Sequence, residues 1–98
     1  MNTDTIAQAR AQARAAAQDR MARALSIDVT TALATGVSVI AEGSYMLDGK
    51  HLPIGWRVDP FGIIHVHANH SRGSFARQDQ AIAFFMVRLD QAVGRDSA

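Results

Sequence analysis

The chain has 98 residues, with ten Lys or Arg against nine Asp or Glu, a formal net charge of +1, 48% hydrophobic residues and no cysteine. That length allows one modest core, and the composition is that of a globular chain, not a disordered one. The charge balance gives no overall polyanion-binding signature, and the lack of cysteine excludes disulfides, thiolate metal sites and a Cys nucleophile. No apolar run approaches the ~20 residues needed to cross a bilayer, and arginines stand where a signal peptide has its apolar stretch. A cytoplasmic setting without a membrane partner is expected.

Residues 1–35 read as a helical segment. Thr3 or Asp4 can cap a helix of Ala, Gln and Arg running to about Leu25. Its apolar stripe, Ile6, Ala9, Ala13, Ala17, Met21, Ala24 and Leu25, is mostly alanine, so a homodimer through this helix is one expectation. Arg10 and Arg14 on it are candidate partner-binding residues for an acidic groove. Ser26 can cap a short second helix, Ile27 to Thr35, closed by Gly36. The β-branched Val29, Thr30 and Thr31 disfavour helix there and leave an irregular connection as the alternative.

Residues 37–68 read as a three-stranded antiparallel meander. Asp48-Gly49 is a two-residue hairpin signal that sets Tyr45 beside Leu52, Gly43 beside Ile54, Ala41 beside Trp56 and Val39 beside Val58. The alternation Leu52, Ile54, Trp56, Val58 selects that same face as buried. Asp59-Pro60-Phe61-Gly62 is the next turn, placing Ile64 beside Val58 and Val66 beside Trp56. A polar bend at Asn69 to Gly73 follows. Ser74 then caps an amphipathic helix over 74–93, closed by Gly94, with Ile82, Phe85 and Leu89 facing the sheet. Residues 95–98 form a tail. The expected fold class is therefore α+β: a helical N-terminal segment, a three-stranded meander and a C-terminal helix packed on one sheet face, all in one domain over 1–98.

The opposite face of the meander collects Ile40, Arg57 and His65 in one cross-strand row and Glu42, Gly55 and His67 in the next. Gly55 has no side chain and leaves a hollow in which Glu42 and His67 can meet. Glu42, Arg57, His65 and His67 are thus candidate binding residues, the plain alternative being a solvated sheet face.

His65 and His67 project to one side of a strand, and His70 follows in the loop, a pattern able to grip zinc. The run His65-Val66-His67-Ala68-Asn69-His70 resembles the His-x-His-x-Asp-His motif of metallo-β-lactamase-fold hydrolases. Asn69 stands in place of the aspartate and no histidine follows His70, so the family's activity is not carried over. Met21 to Leu33 resembles a helix-turn-helix, although Ser26 replaces the turn glycine and Thr30 and Thr31 offer no base-reading side chain.

In size and layout the chain resembles the small inhibitors carried by phages and mobile elements, anti-CRISPR proteins among them. That resemblance implies a protein partner and a steric mode of action. The readings to test are a protein-binding inhibitor or adaptor, a His-dependent metal-binding protein or small hydrolase, and a DNA-binding transcriptional regulator with a nucleic-acid partner.

Overall fold

A computed structural model describes residues 3–47 and 50–97. The elements in chain order are α1 (Thr3–Thr35), β1 (Val39–Leu47), β2 (Lys50–Val58), β3 (Ile64–Ala68), β4 (Ser71–Phe75) and α2 (Gln78–Ser97). The architecture is α+β, with one antiparallel sheet of order β1-β2-β3-β4 and both helices on one of its faces.

The expected break at Ser26 does not exist: α1 is one helix of 33 residues. At 1.5 Å per residue it runs about 50 Å, close to the molecule's longest extent of 52 Å. Tertiary packing overrides the poor helix propensity of the β-branched residues. Ala17, Met21, Leu25, Val29 and Ala32 form one buried stripe that passes Ser26 without interruption. The hydroxyls of Thr30, Thr31 and Thr35 turn back and donate to the carbonyls of Ser26, Ile27 and Thr31 at 2.8 to 2.9 Å. A helix-turn-helix is thereby overturned, since Met21 to Leu33 contains no turn. Gly36 ends the helix as expected, with φ +70° and its N–H on the Ala32 carbonyl at 3.0 Å. The first part of α1, residues 4–16, is exposed, Ile6, Ala9 and Ala13 of the expected apolar stripe included.

The β1/β2 and β2/β3 registers are those the turn chemistry predicts, from Leu47 opposite Lys50 to Val39 opposite Val58, and from Val58 opposite Ile64 to Ile54 opposite Ala68. The Asp48-Gly49 turn itself lies outside the described residues. In the second turn Gly62 takes φ +89°, its N–H donates to the Asp59 carbonyl, and Asp59 N–H donates to the Ile63 carbonyl, each at 3.0 Å. This is a turn followed by a left-handed glycine, which returns the strand in register.

The sheet has four strands, not three. Asn69 and His70, at φ 48° and 74°, make a tight left-handed turn that brings Ser71 opposite Ala68 and Phe75 opposite Ile64. Phe75 therefore belongs to β4, where its ring meets Phe84 at 5.8 Å, and α2 begins at Gln78 instead of directly after Ser74. Its first hydrogen bond runs from Ala81 N–H to the Arg77 carbonyl. At the other end it passes Gly94 to Ser97, so residues 95–97 continue the helix instead of forming a tail.

The core lies between the sheet's inner face and the helices. Leu52, Ile54, Trp56, Val58, Ile64, Val66 and Ala68 meet Met21, Leu25 and Val29 of α1 and Ala81, Ile82, Phe85, Met86 and Leu89 of α2. With both helices on this side, the other face of the sheet stays open.

Candidate functional site

The open face is built from the alternate positions of the four strands. Its first row is Ile40, Arg57, His65 and Ser74, and its second is Glu42, Gly55, His67 and Arg72. The residues contributed by β4 are the ones the three-stranded reading lacked. Together these rows floor an open depression of about 800 Å3, lined among others by Glu42, Arg57, His65, His67, Arg72 and Ser74.

Gly55 is decisive for its shape. The His67 ring lies where a Cβ on Gly55 would be, and its Nε2 reaches within 3.7 Å of Glu42 Oε1. That separation is too long for a hydrogen bond and suits an ion pair when the imidazole is protonated. The meeting of Glu42 and His67 across a glycine was legible from the register alone.

His65 is held at both ring nitrogens: Nε2 lies 3.1 Å from Asp59 Oδ2 and Nδ1 lies 2.9 Å from Ser74 Oγ. Asp59 Oδ1 accepts from the backbone N–H groups of Phe61 and Ile63 at 2.9 and 3.1 Å. Burial works to raise the Asp59 carboxyl, but the bonds from His65, Ile63 and Phe61 outweigh it and hold the group below the ordinary carboxylate range.

Arg57 and Arg72 are exposed and form no ion pair or hydrogen bond among the described residues. Other described basic groups are engaged. Arg23 pairs with Asp19 and Arg77 with Asp79. Arg20 donates to the Tyr45 hydroxyl at 2.9 Å. Arg14, expected to face a partner, forms a two-pronged pair with Asp90 of α2, Nε to Oδ1 and Nη2 to Oδ2, both at 2.9 Å. The hydrogen bond and the charge of Asp90 raise Arg14, and those of Arg14 lower Asp90. Arg10 is exposed on the same helix, and no residue of α1 lines the depression. The arginines of α1 and the outer sheet face are thus not parts of one site.

The expected zinc grip is not assembled. Among the described residues no three His, Asp or Glu side chains gather as metal ligands. His65 has both nitrogens occupied, His67 turns toward Glu42, and His70 sits exposed in the β3/β4 turn. Three residues on or beside the open face are not found from the sequence: Asp59, which reads as part of its turn, Ser74, which reads as a helix cap, and Arg72, which reads as part of a bend. Reading Asn69-His70 as a left-handed turn is the signal that would have found the latter two.

No family model, curated protein or solved structure matches the chain. Among the described residues no helix is long and apolar enough to cross a membrane.

Proposed function

We propose that the chain is a small protein-binding module, an inhibitor or adaptor that covers a surface of a larger partner with the open face of its sheet. One observation carries this reading: Arg57 and Arg72 line a single open depression with no ion pair or hydrogen bond of their own among the described residues, while Glu42 lies beside His67 and Asp59 is bonded to His65. Exposed arginines left uncommitted on a concave surface suit carboxylates of a partner, which a planar guanidinium can grip in two-pronged fashion. The mode of action is steric and electrostatic. A host complex as target, in the manner of anti-CRISPR inhibitors, is the specific form of this proposal that the size and two-layer layout support.

The experiment is affinity capture from a bacterial lysate with wild type and with Arg57→Glu/Arg72→Glu, followed by titration of the purified captured protein. A partner held by wild type and lost by the double variant, with the circular dichroism of the two chains alike, is the expected result. Equal capture by both would remove the open face from the interface, and the reading with it.

A further inference from the structure

Asp59, His65 and Ser74 form a hydrogen-bonded chain across the first row of the open face. Two backbone N–H groups occupy Asp59 Oδ1, leaving Oδ2 to face His65 Nε2 at 3.1 Å. A carboxylate only accepts hydrogen bonds, so Nε2 carries the ring proton and Nδ1 of the neutral imidazole presents its lone pair. At 2.9 Å from Nδ1, the Ser74 hydroxyl then donates to that lone pair. The tautomer is fixed by the acid, and the base points at the serine.

Nucleophile, base and orienting carboxylate in this relation are what serine acyl transfer requires. The two ring nitrogens exchange the positions they hold in the Ser-His-Asp triad of proteases, and an imidazole moves a proton through either one. Ser74 is exposed on β4, at the edge of the sheet, and lines the depression. Arg72, two residues earlier on the same face of β4, and Arg57, in the same row as His65, line it too and supply positive charge for a developing oxyanion or an anionic substrate end.

We propose that Ser74 is an activated nucleophile that takes the acyl group of small esters bearing an anionic group. Its Oγ forms a bond to the carbonyl carbon while its proton passes to His65 Nδ1, and the resulting imidazolium faces Asp59. Collapse of the tetrahedral adduct breaks the bond to the leaving oxygen, which takes that proton. Water then attacks the acyl-serine by the same route, releasing the acid and restoring the hydroxyl.

The chain contains its own control. Ser44 Oγ lies 3.4 Å from His51 Nδ1, a serine beside an imidazole with no carboxylate bonded to that ring among the described residues. The probe is an alkyl fluorophosphonate, in which Oγ replaces fluoride on phosphorus and the serine proton leaves through the imidazole. Intact mass and peptide mapping read the site and rate of labelling. The expected result is one adduct at Ser74, formed about 100-fold faster than any at Ser44, the scale of positioned general-base catalysis. Ser74→Ala abolishes it, and His65→Gln, with its fold checked by circular dichroism, slows it by a similar factor. No adduct, equal labelling of Ser74 and Ser44, or an unchanged rate in His65→Gln would each overturn the proposal. The comparison within the wild-type chain decides it even where a variant fails to fold.

Discussion

The imidazole of His67 occupies the space above Gly55, so that a Cβ on Gly55 would collide with Nε2 and come 2.9 Å from the Ala41 carbonyl oxygen. The side chain of one strand has taken the place left empty on its neighbour. Gly55→Ala should therefore push His67 off Glu42 and strain β2 against β1, costing about 1 to 3 kcal/mol as an overpacked site does. Gly43 is the control, because a methyl group on its Cα would meet nothing within 4 Å. Gly43→Ala should stay within about 0.5 kcal/mol of wild type. Urea denaturation of both variants measures the difference.

The relation between Gly55, Glu42 and His67 is readable in the sequence because two independent signals agree. Turn chemistry at Asp48-Gly49 sets the register, and strict alternation from Leu52 to Val58 sets the face. Other features are not readable, for equally physical reasons. Ser71 to Phe75 has no β-branched residue and no apolar alternation, and its turn, Asn69-His70, lacks glycine. The strand exists because β3 offers it an edge and Phe75 packs on Phe84. Likewise Ser26 followed by Val29, Thr30 and Thr31 signals a helix boundary locally, and only the sheet beneath Leu25, Val29 and Ala32 explains why none forms. In the sequence Asp59 reads as a turn residue and Ser74 as a helix cap, and those local readings hide the chain the two make through His65.

Trp56 ties the sheet to α1 through its indole N–H, which donates to Asp28 Oδ2 at 2.8 Å in a partly buried setting. Asp28→Ala leaves that donor without an acceptor, a loss of about 1 to 3 kcal/mol, reduced by the better helix propensity of alanine, about 0.5 kcal/mol. Asp28→Asn keeps a carbonyl acceptor and should lose less. Trp56 is the chain's single tryptophan, so its fluorescence follows both the local change and the unfolding transition.

Phe85 is fully buried, and its ring meets Trp56 at 5.8 Å and 58°. Phe85→Ala should cost about 3 to 5 kcal/mol, a large share of the roughly 5 to 15 kcal/mol that holds a domain folded. Phe61 at the tip of the β2/β3 turn is 88% exposed, and Phe61→Ala should change stability by no more than about 0.5 kcal/mol. Thermal melts of the two variants should therefore separate widely, and similar midpoints would contradict the assignment of inner and outer positions.

Acid should loosen two particular contacts. Asp59 and Asp90 are both held below the ordinary carboxylate range, Asp59 against the opposing pull of burial and Asp90 mainly by its hydrogen bond with Arg14. A carboxyl with a lower pKa folded than unfolded contributes stability that is present above the unfolded value and lost as pH falls through the folded one. The stability that these two groups contribute should thus be level from neutral pH down to about 5 and decline below about 4. Replacing Asp90 with Asn should flatten part of that decline and speed amide hydrogen exchange in residues 4–16 of α1, which the Arg14–Asp90 pair joins to α2.

Ser26 separates the two possible architectures of the N-terminal segment by the sign of one substitution. A serine that caps a helix accepts hydrogen bonds from the backbone of its first turn, and removing it costs about 0.5 to 2 kcal/mol. A serine inside a helix merely has a poorer propensity than alanine, by about 0.5 kcal/mol. Ser26 is exposed in the middle of α1, and its backbone carbonyl accepts the Thr30 hydroxyl at 2.9 Å without using the serine side chain. Ser26→Ala should therefore leave stability unchanged or raise it slightly, with helical circular dichroism retained. A loss of about 1 kcal/mol or more in chemical denaturation, the scale of a lost cap, would mean that the chain starts a new helix there, and that Met21 to Leu33 contains the turn that α1 lacks.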